Sequence, residues 1–368
     1  MSIPTLYASS RGVLDWRNTG PAHWPKYKAS INNTINTTTV ADTIITPNIT
    51  FPGNLAHWGG VLLQDGRVFL VPHTATYAII YDPVTNTKFT TPNLFNGNSA
   101  FNGGVLLQDG RVFCLPRAGG PTDLRVYDPI TNTTSTPSGT FPSGTAFYHG
   151  GTVLPDGRVF CVPRNSTTAL IYDPKTESVS TSGTYIGSAS SYLGAVLLPD
   201  GRVFLVPFSA TQAKIYDPIT NTIFTSTANF PGGVAIYGGV LLADGRVFCI
   251  PRNSNTALIY DSKTDTVFTT VAGFASGTDA FGTGVLLPNG KVFCCPSSST
   301  VAKIYDPTTN TIITATGSYG GNFSYIHSVV LQDGTVFVVP LNATTARIYN
   351  GGGVFNKNIA LSLYYNKF

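Results

Sequence analysis

A chain of 368 residues with 42% hydrophobic content exceeds one average domain and has ample material for a core, so a disordered chain is excluded. Charged residues make up only 11%, against about 25% in ordinary domains, while 38 Gly and 25 Pro mark a turn-rich, β-rich composition. The net charge of +4 is spread over singly placed Lys and Arg, and no apolar run approaches the roughly 18 residues of a spanning helix, so neither nucleic acid binding nor membrane insertion is expected.

The chain opens on Met-Ser-Ile-Pro, without the charged and apolar regions of a secretory signal, and synthesis in the cytoplasm without a signal peptide is the expectation. Residues 1–39 read as an N-terminal arm. They hold Trp16 and Trp24, flanked by Arg17 and Lys26. Residues 42–53, DTIITPNITFPG, then match the fourth-strand and linker segment of the repeats that follow, as in TKFTTPNLFNG.

From Gly59 onward one pattern recurs. Asp65, Asp109, Asp156, Asp200, Asp244 and Asp333 precede a Gly, as does Asn289, at spacings of 44, 47, 44, 44, 45 and 44 residues. A second series, Asp82, Asp128, Asp173, Asp217, Asp261, Asp306 and Asn350, follows in IYDPxTNT or a close variant. In the first repeat VLLQ and RVFLVP flank an Asp-Gly hairpin turn, and YAIIYD and TKFTTP flank a Pro-Val-Thr-Asn turn. Each repeat is therefore predicted to be a four-stranded antiparallel unit, and seven such units predict an all-β ring of blades spanning residues 40–354. The last repeat breaks at Asn350 into three glycines, so the segment from residue 42 is predicted to supply its fourth strand and latch the ring, with Gly353–Ile359 as the alternative. Residues 355–368 form a C-terminal tail with Tyr364, Tyr365 and Phe368.

With its hairpin Asp-Gly and later Tyr-Asp-Pro in each unit, the chain resembles a kelch-like seven-bladed β-propeller. It differs from kelch repeats in placing its Gly pair before the first strand (Gly59-Gly60, Gly103-Gly104) and Phe89, Phe224 or Phe268 on the outer strand. The near-identical Thr- and Asn-rich blades also resemble, in composition, propellers on the surface of phage and virus particles.

Strand connectivity puts the Asp-Gly-Arg and Asp-Pro-x-Thr-Asn turns on one face, where the repeats are monotonous. The opposite face varies. Its second-strand Pro residues are followed by His73, Arg117, Arg164, Phe208, Arg252, Ser297 and Leu341, and its first strands are preceded by pairs such as His57-Trp58, Tyr148-His149 and Ile236-Tyr237. Variable loops on a regular scaffold carry recognition, so His57, Trp58, His73, Arg117, His149, Arg164, Tyr237 and Arg252 are the candidate ligand-binding residues. The slot of His57 is aromatic or His in six of seven repeats, a regularity that packing between blades also produces. Arg67 and its counterparts in the Asp-Gly-Arg turns are read as partners of turn carboxylates.

Catalysis is not expected. Of 18 carboxylates twelve Asp punctuate the turns, leaving Asp15, Asp42, Asp123 and Asp279 for a paired acid and base, with Glu177 and Asp265 in the Thr-Asn turn slot. None of the five His sits in a nucleophile motif, and no metal or cofactor is expected. Cys114, Cys161, Cys249 and Cys294 replace buried aliphatics in the second strand, and Cys295 follows the last, so five free thiols are expected.

The resulting expectation is a non-enzymatic interaction protein, a structural or adhesive component of a virus particle or other surface assembly. Trp16, Arg17, Trp24, Tyr364, Tyr365 and Phe368 would anchor it to other structural subunits, and the variable face would meet a cell-surface glycan. An independently acting carbohydrate-binding lectin is the alternative, and an enzyme with a site at the channel mouth the third reading.

Overall fold

The structure, a computed structural model, describes residues 42–351 except 98, 118–123, 140, 142–147, 165, 183–190, 233–235, 275, 276 and 278. The arm and tail, with all six candidate assembly residues, lie outside the described residues. Asp123 and the alternative latch at Gly353–Ile359 do too.

Seven sheets, each with four antiparallel strands, stand side by side. In the first, His57–Leu62, Val68–Pro72, Ile79–Asp82 and Thr87–Thr90 are neighbours in that order, and the order recurs through the chain. The seventh blade combines Tyr325–Val330, Val336–Pro340 and Arg347–Asn350 with Thr43–Ile45, which pairs Thr43 with Asn350, Ile44 with Tyr349 and Ile45 with Ile348. The N-terminal latch is thus the observed one. First strands touch their neighbours all the way round, Tyr325–Val330 meeting His57–Leu62, so the ring is closed and each inner strand is covered. Among the described residues there is no helix.

The repeated Phe of Arg-Val-Phe and Tyr of Tyr-Asp explain how blades join. Phe69 stacks on Tyr127 of the next blade at 4.8 Å between ring centroids, Phe113 on Tyr172 at 4.5 Å, Phe160 on Tyr216 at 4.5 Å, Phe204 on Tyr260 at 4.5 Å and Phe248 on Tyr305 at 4.7 Å. Phe293 meets Tyr349 at 4.9 Å, and Phe337 meets Tyr81 at 4.8 Å to close the circle. Each ring contributes large apolar area and a favourable ring–ring contact. The tyrosine hydroxyls then donate to the turn residue five positions on, as from Tyr81 to Asn86 at 3.1 Å and from Tyr260 to Asp265 at 2.9 Å. Asn86, Asn132, Asn221 and Asn310 sit at positive φ between 52° and 55°, a region Asn tolerates, which accounts for Asn in the turn. Glu177 occupies the same slot at φ 51°, and there the Tyr172 hydroxyl has no partner.

Two expectations are corrected. The Gly pair lies inside the first strand, which begins at the aromatic or His residue before it: Tyr148 pairs with Pro163, then the register shifts before Gly151 pairs with Cys161. Gly150 takes φ 79° at this bulge, and a Cβ there would stand 2.6 Å from the Gly194 Cα of the next blade. The third blade also has a fifth strand, Ser138–Gly139, parallel to Ser178–Thr181. The longer 47-residue repeat supplies this segment, and a Cβ on Gly139 would meet the Val179 carbonyl oxygen at 2.2 Å.

All five cysteines are buried and unbonded, and burial pushes their pKa values up.

Candidate functional site at the channel mouth

The bulge fixes which residues reach the channel. The first residue of each first strand turns between blades: His57, Phe101, Tyr148, Tyr192, Ile236, Phe281 and Tyr325 are all at most 4% exposed. The second residue turns toward the mouth, where Trp58, Asn102, His149, Leu193, Tyr237 and Ile326 form an inner ring, with Gly282 in the same position of the sixth blade. An outer ring comes from the residue after the second-strand Pro, of which Arg117, Arg164, Phe208 and Arg252 line the same cavity. Asp279 and Phe323 complete it, and the cavity measures about 200 Å³.

Six of the eight candidate residues therefore meet: Trp58, Arg117, His149, Arg164, Tyr237 and Arg252. The other two do not line the cavity. His57 packs between blades, its Nε2 within 3.2 Å of the Tyr77 carbonyl oxygen, because the bulge reverses the alternation that would have turned it outward. His73 is buried behind Trp58, ring centroids 5.0 Å apart, with Nδ1 2.7 Å from the Phe101 carbonyl oxygen. It supports the indole.

The lining is uneven in charge. Arg252 is paired with Asp279 and lies over Phe208 at 5.1 Å. Arg117, Arg164 and Arg252 bring three guanidiniums to the described lining, and Asp279 brings one carboxylate. Burial and then the charge of Arg164 lower the pKa of Arg117, a sign that the two cations face a common space. His149, edge-on to Trp58 at 6.3 Å and to Tyr237 at 5.9 Å, is pushed down to about 3 by burial and then by Arg164, so it is neutral at pH 7.

Several polar atoms here lack partners. Trp58 Nε1 and Asn102 Oδ1 are buried without a hydrogen bond, although Asn102 is only 3% exposed and its Nδ2 donates to the Tyr148 carbonyl at 3.5 Å. A buried orphan costs about 1–3 kcal/mol, so two beside one cavity point to a ligand or ordered water. Below the mouth the channel narrows to a space of about 80 Å³ lined by the bulge glycines, His149, His327 and Ser328. Among the described residues no three His, Cys, Asp or Glu side chains gather as metal ligands.

On the opposite face the repeated arginines are paired. Arg67, Arg158, Arg202 and Arg246 each hold the Asp two positions before them through two nitrogens, at 2.6 to 2.8 Å, and Arg111 holds both Asp109 and Glu177.

Asn102, Phe208 and Phe323 were not among the candidate binding residues, and Asp279 was weighed in the sequence only as a free carboxylate. Asn102 carried a signal, since an amide stands in a slot otherwise filled mainly by aromatic or aliphatic residues.

No protein-family model matches the chain, and no curated protein matches it in sequence. Solved structures do match in fold. They include a streptogramin B lyase (TM-score 0.66, 13% identity, covering 84% of this chain and 97% of that one). A catalytically inactive virginiamycin B lyase from Staphylococcus aureus with quinupristin matches at TM-score 0.65 and 11% identity, covering 84% and 99%. A fungal alcohol oxidase in complex with copper matches at TM-score 0.64 and 13% identity, covering 84% and 76%. At these identities the likeness is one of fold, and the chain is a seven-bladed β-propeller.

Proposed function

We propose that this propeller is a non-enzymatic recognition module, a structural or adhesive component of a virus particle or similar surface assembly, which binds its target at the channel mouth. The observation that carries the reading is the convergence of Trp58, Arg117, His149, Arg164, Tyr237 and Arg252 on one cavity at the face where the repeats differ. Trp, Tyr and Arg are the residue types that most often supply interface energy. The terminal arms, rich in aromatic residues, are the proposed anchors to other subunits. Replacing Trp58, Arg164 and Arg252 together by Ala should weaken binding to target cells while incorporation into the assembly continues, and deleting residues 1–39 should do the reverse. Loss of incorporation from the first variant, or unchanged cell binding, would refute the proposal.

An independent lectin would use the same mouth and differs only in needing no assembly. An enzyme would have His149, neutral and beside Tyr237, as its base. Turnover of glycoside, ester or phosphate substrates that vanished on His149→Gln would replace the binding account.

A further inference from the structure

Below the inner ring of the mouth, the third residue of each first strand lines the channel, and this slot sets its width. Glycine fills it in five blades, at Gly59, Gly103, Gly150, Gly194 and Gly238, while the sixth and seventh blades carry Thr283 and His327. The absent side chains leave the space of about 80 Å³, which shares Asn102, His149, Leu193 and Tyr237 with the cavity above it. A space of this size takes a few ordered waters or the short arm of a ligand.

Three buried polar atoms along this path have no hydrogen-bond partner among the described residues: Trp58 Nε1 and Asn102 Oδ1 at the mouth, and His327 Nε2 in the channel. Their chemistry differs. The indole N–H only donates and the amide oxygen only accepts, while the His327 imidazole, neutral at pH 7 because burial pushes it down to about 4, offers either a lone pair or an N–H. Thr283, the other side chain in the slot, donates to the Ile326 carbonyl at 3.2 Å and is thereby accounted for. A fully ionised anion such as sulfate has no donor for Asn102 Oδ1, a metal ion has no acceptor for the Trp58 N–H, and an apolar group answers none of the three. A hydroxyl both donates and accepts, so hydroxyls alone can serve them all.

Resting on the recognition reading above, we infer that mouth and channel together bind a neutral hexose residue, its ring at the mouth beside Trp58 and Tyr237 and its hydroxymethyl arm in the glycine-lined channel, where the arm's hydroxyl meets His327 Nε2. Ring hydroxyls then serve Asn102 Oδ1 and Trp58 Nε1. The mouth, at about 200 Å³, has room for one ring, and the channel has room for the arm and not for a second ring. A site whose buried polar groups are left unpaired when a hydroxyl is missing discriminates strongly against the deoxy analogue.

The test is titration calorimetry on the full-length chain with galactose, glucose and mannose, their 6-deoxy counterparts, glucuronate and inorganic sulfate. At least one of the three hexoses should bind at least tenfold more tightly than its 6-deoxy form and than either anion. Asn102→Leu and His327→Leu should each weaken that binding at least tenfold. Gly238→Ala is the steric probe. Gly238 lies outside the positive-φ region and a Cβ there would meet no described atom within 4 Å, so the fold accepts the methyl while the channel loses room. It should lower hexose affinity at least fivefold at an unchanged melting temperature. Should Asn102→Leu or His327→Leu lower the melting temperature, Gly238→Ala and Trp58→Phe, which keeps an aromatic ring and removes the N–H, still decide. A 6-deoxy sugar binding as tightly as its parent, with Gly238→Ala silent, would overturn the inference, and so would glucuronate or sulfate binding more tightly than every hexose. If no sugar binds while the triple Ala variant at Trp58, Arg164 and Arg252 still loses target cells, the ligand class falls and the recognition reading stands. If that variant keeps its cell binding as well, both fall.

Discussion

The two faces of this propeller are built from the same strands and have opposite electrostatic economies. On the turn face each Arg is held by the carboxylate two residues before it, as Arg202 is by Asp200, and the arrangement recurs blade after blade. On the mouth face the residues differ from blade to blade, and buried Trp58 Nε1 and Asn102 Oδ1 have no partner among the described residues. In a repeat protein, then, recurrence marks groups that satisfy one another, and departures from the repeat mark groups left for something else. A sequence scan that ranks residues by chemical interest alone treats Arg202 and Arg164 alike. Their partners separate them.

Acid should separate the two ends most strongly. Burial pushes His57 and His327 down to about 4 and His149 to about 3, from an ordinary 6.5, and lowers His73 as well. Below pH 6.5 the unfolded chain takes up protons that the folded ring refuses, so stability is complete above 6.5 and falls as pH drops toward 4. Each of the first three contributes a slope of about 1.4 kcal/mol per pH unit in that window. At the turn end, burial raises the carboxyls of Asp156, Asp200 and Asp244, but the hydrogen bonds from Arg158, Arg202 and Arg246 outweigh it and hold them below the usual range. Their contribution should persist until the pH falls below about 4. Denaturant melts between pH 4 and 8 check this, and a flat profile above pH 4.5 would contradict it.

Phe113→Ala tests whether the repeated stack, common to both faces, joins the blades. Phe113 is fully buried and nearly parallel to Tyr172, at 6°. Its removal should cost about 3–5 kcal/mol in chemical denaturation, and a loss below about 1 kcal/mol would mean that the backbone alone sets the blade interface.

Arg202→Ala removes an exposed pair and should cost at most about 1 kcal/mol of stability, with no change in ligand binding. Glu177→Asn is the smallest change. It trades a strained positive-φ glutamate for a residue that tolerates the turn and gives the Tyr172 hydroxyl an acceptor, at the expense of the exposed contact with Arg111. A net stabilisation below about 1 kcal/mol is expected, and destabilisation would show that the Arg111 contact dominates.

Much of the ring was legible because its signals repeat. The Asp-Gly and Asp-Pro-x-Thr-Asn series fixed the blade count and the turn positions, and residues 42–47 announced the latch by matching other fourth strands. The start of each first strand was misplaced because two glycines read as a loop, whereas here they form a bulge inside the strand. For His57 the structure bears out the packing that the regularity of its slot suggested, and not its place among the candidate binding residues. The mouth was legible as a set of slots, yet Asp279 was weighed only as a free carboxylate. Its role as the partner of Arg252 joins the loop before the sixth blade to the end of a strand in the fifth, 27 residues apart, and no local pattern encodes it.

The central claim, that recognition belongs to the mouth and not to the turn face, is tested most directly by charge-matched variants on one glycan array. Arg164→Ala/Arg252→Ala and Arg158→Ala/Arg202→Ala each remove two positive charges, the first pair from the mouth and the second from the turns. The account predicts at least a tenfold loss of binding for the mouth pair and wild-type binding for the turn pair. Equal losses, or a loss confined to the turn pair, would contradict it.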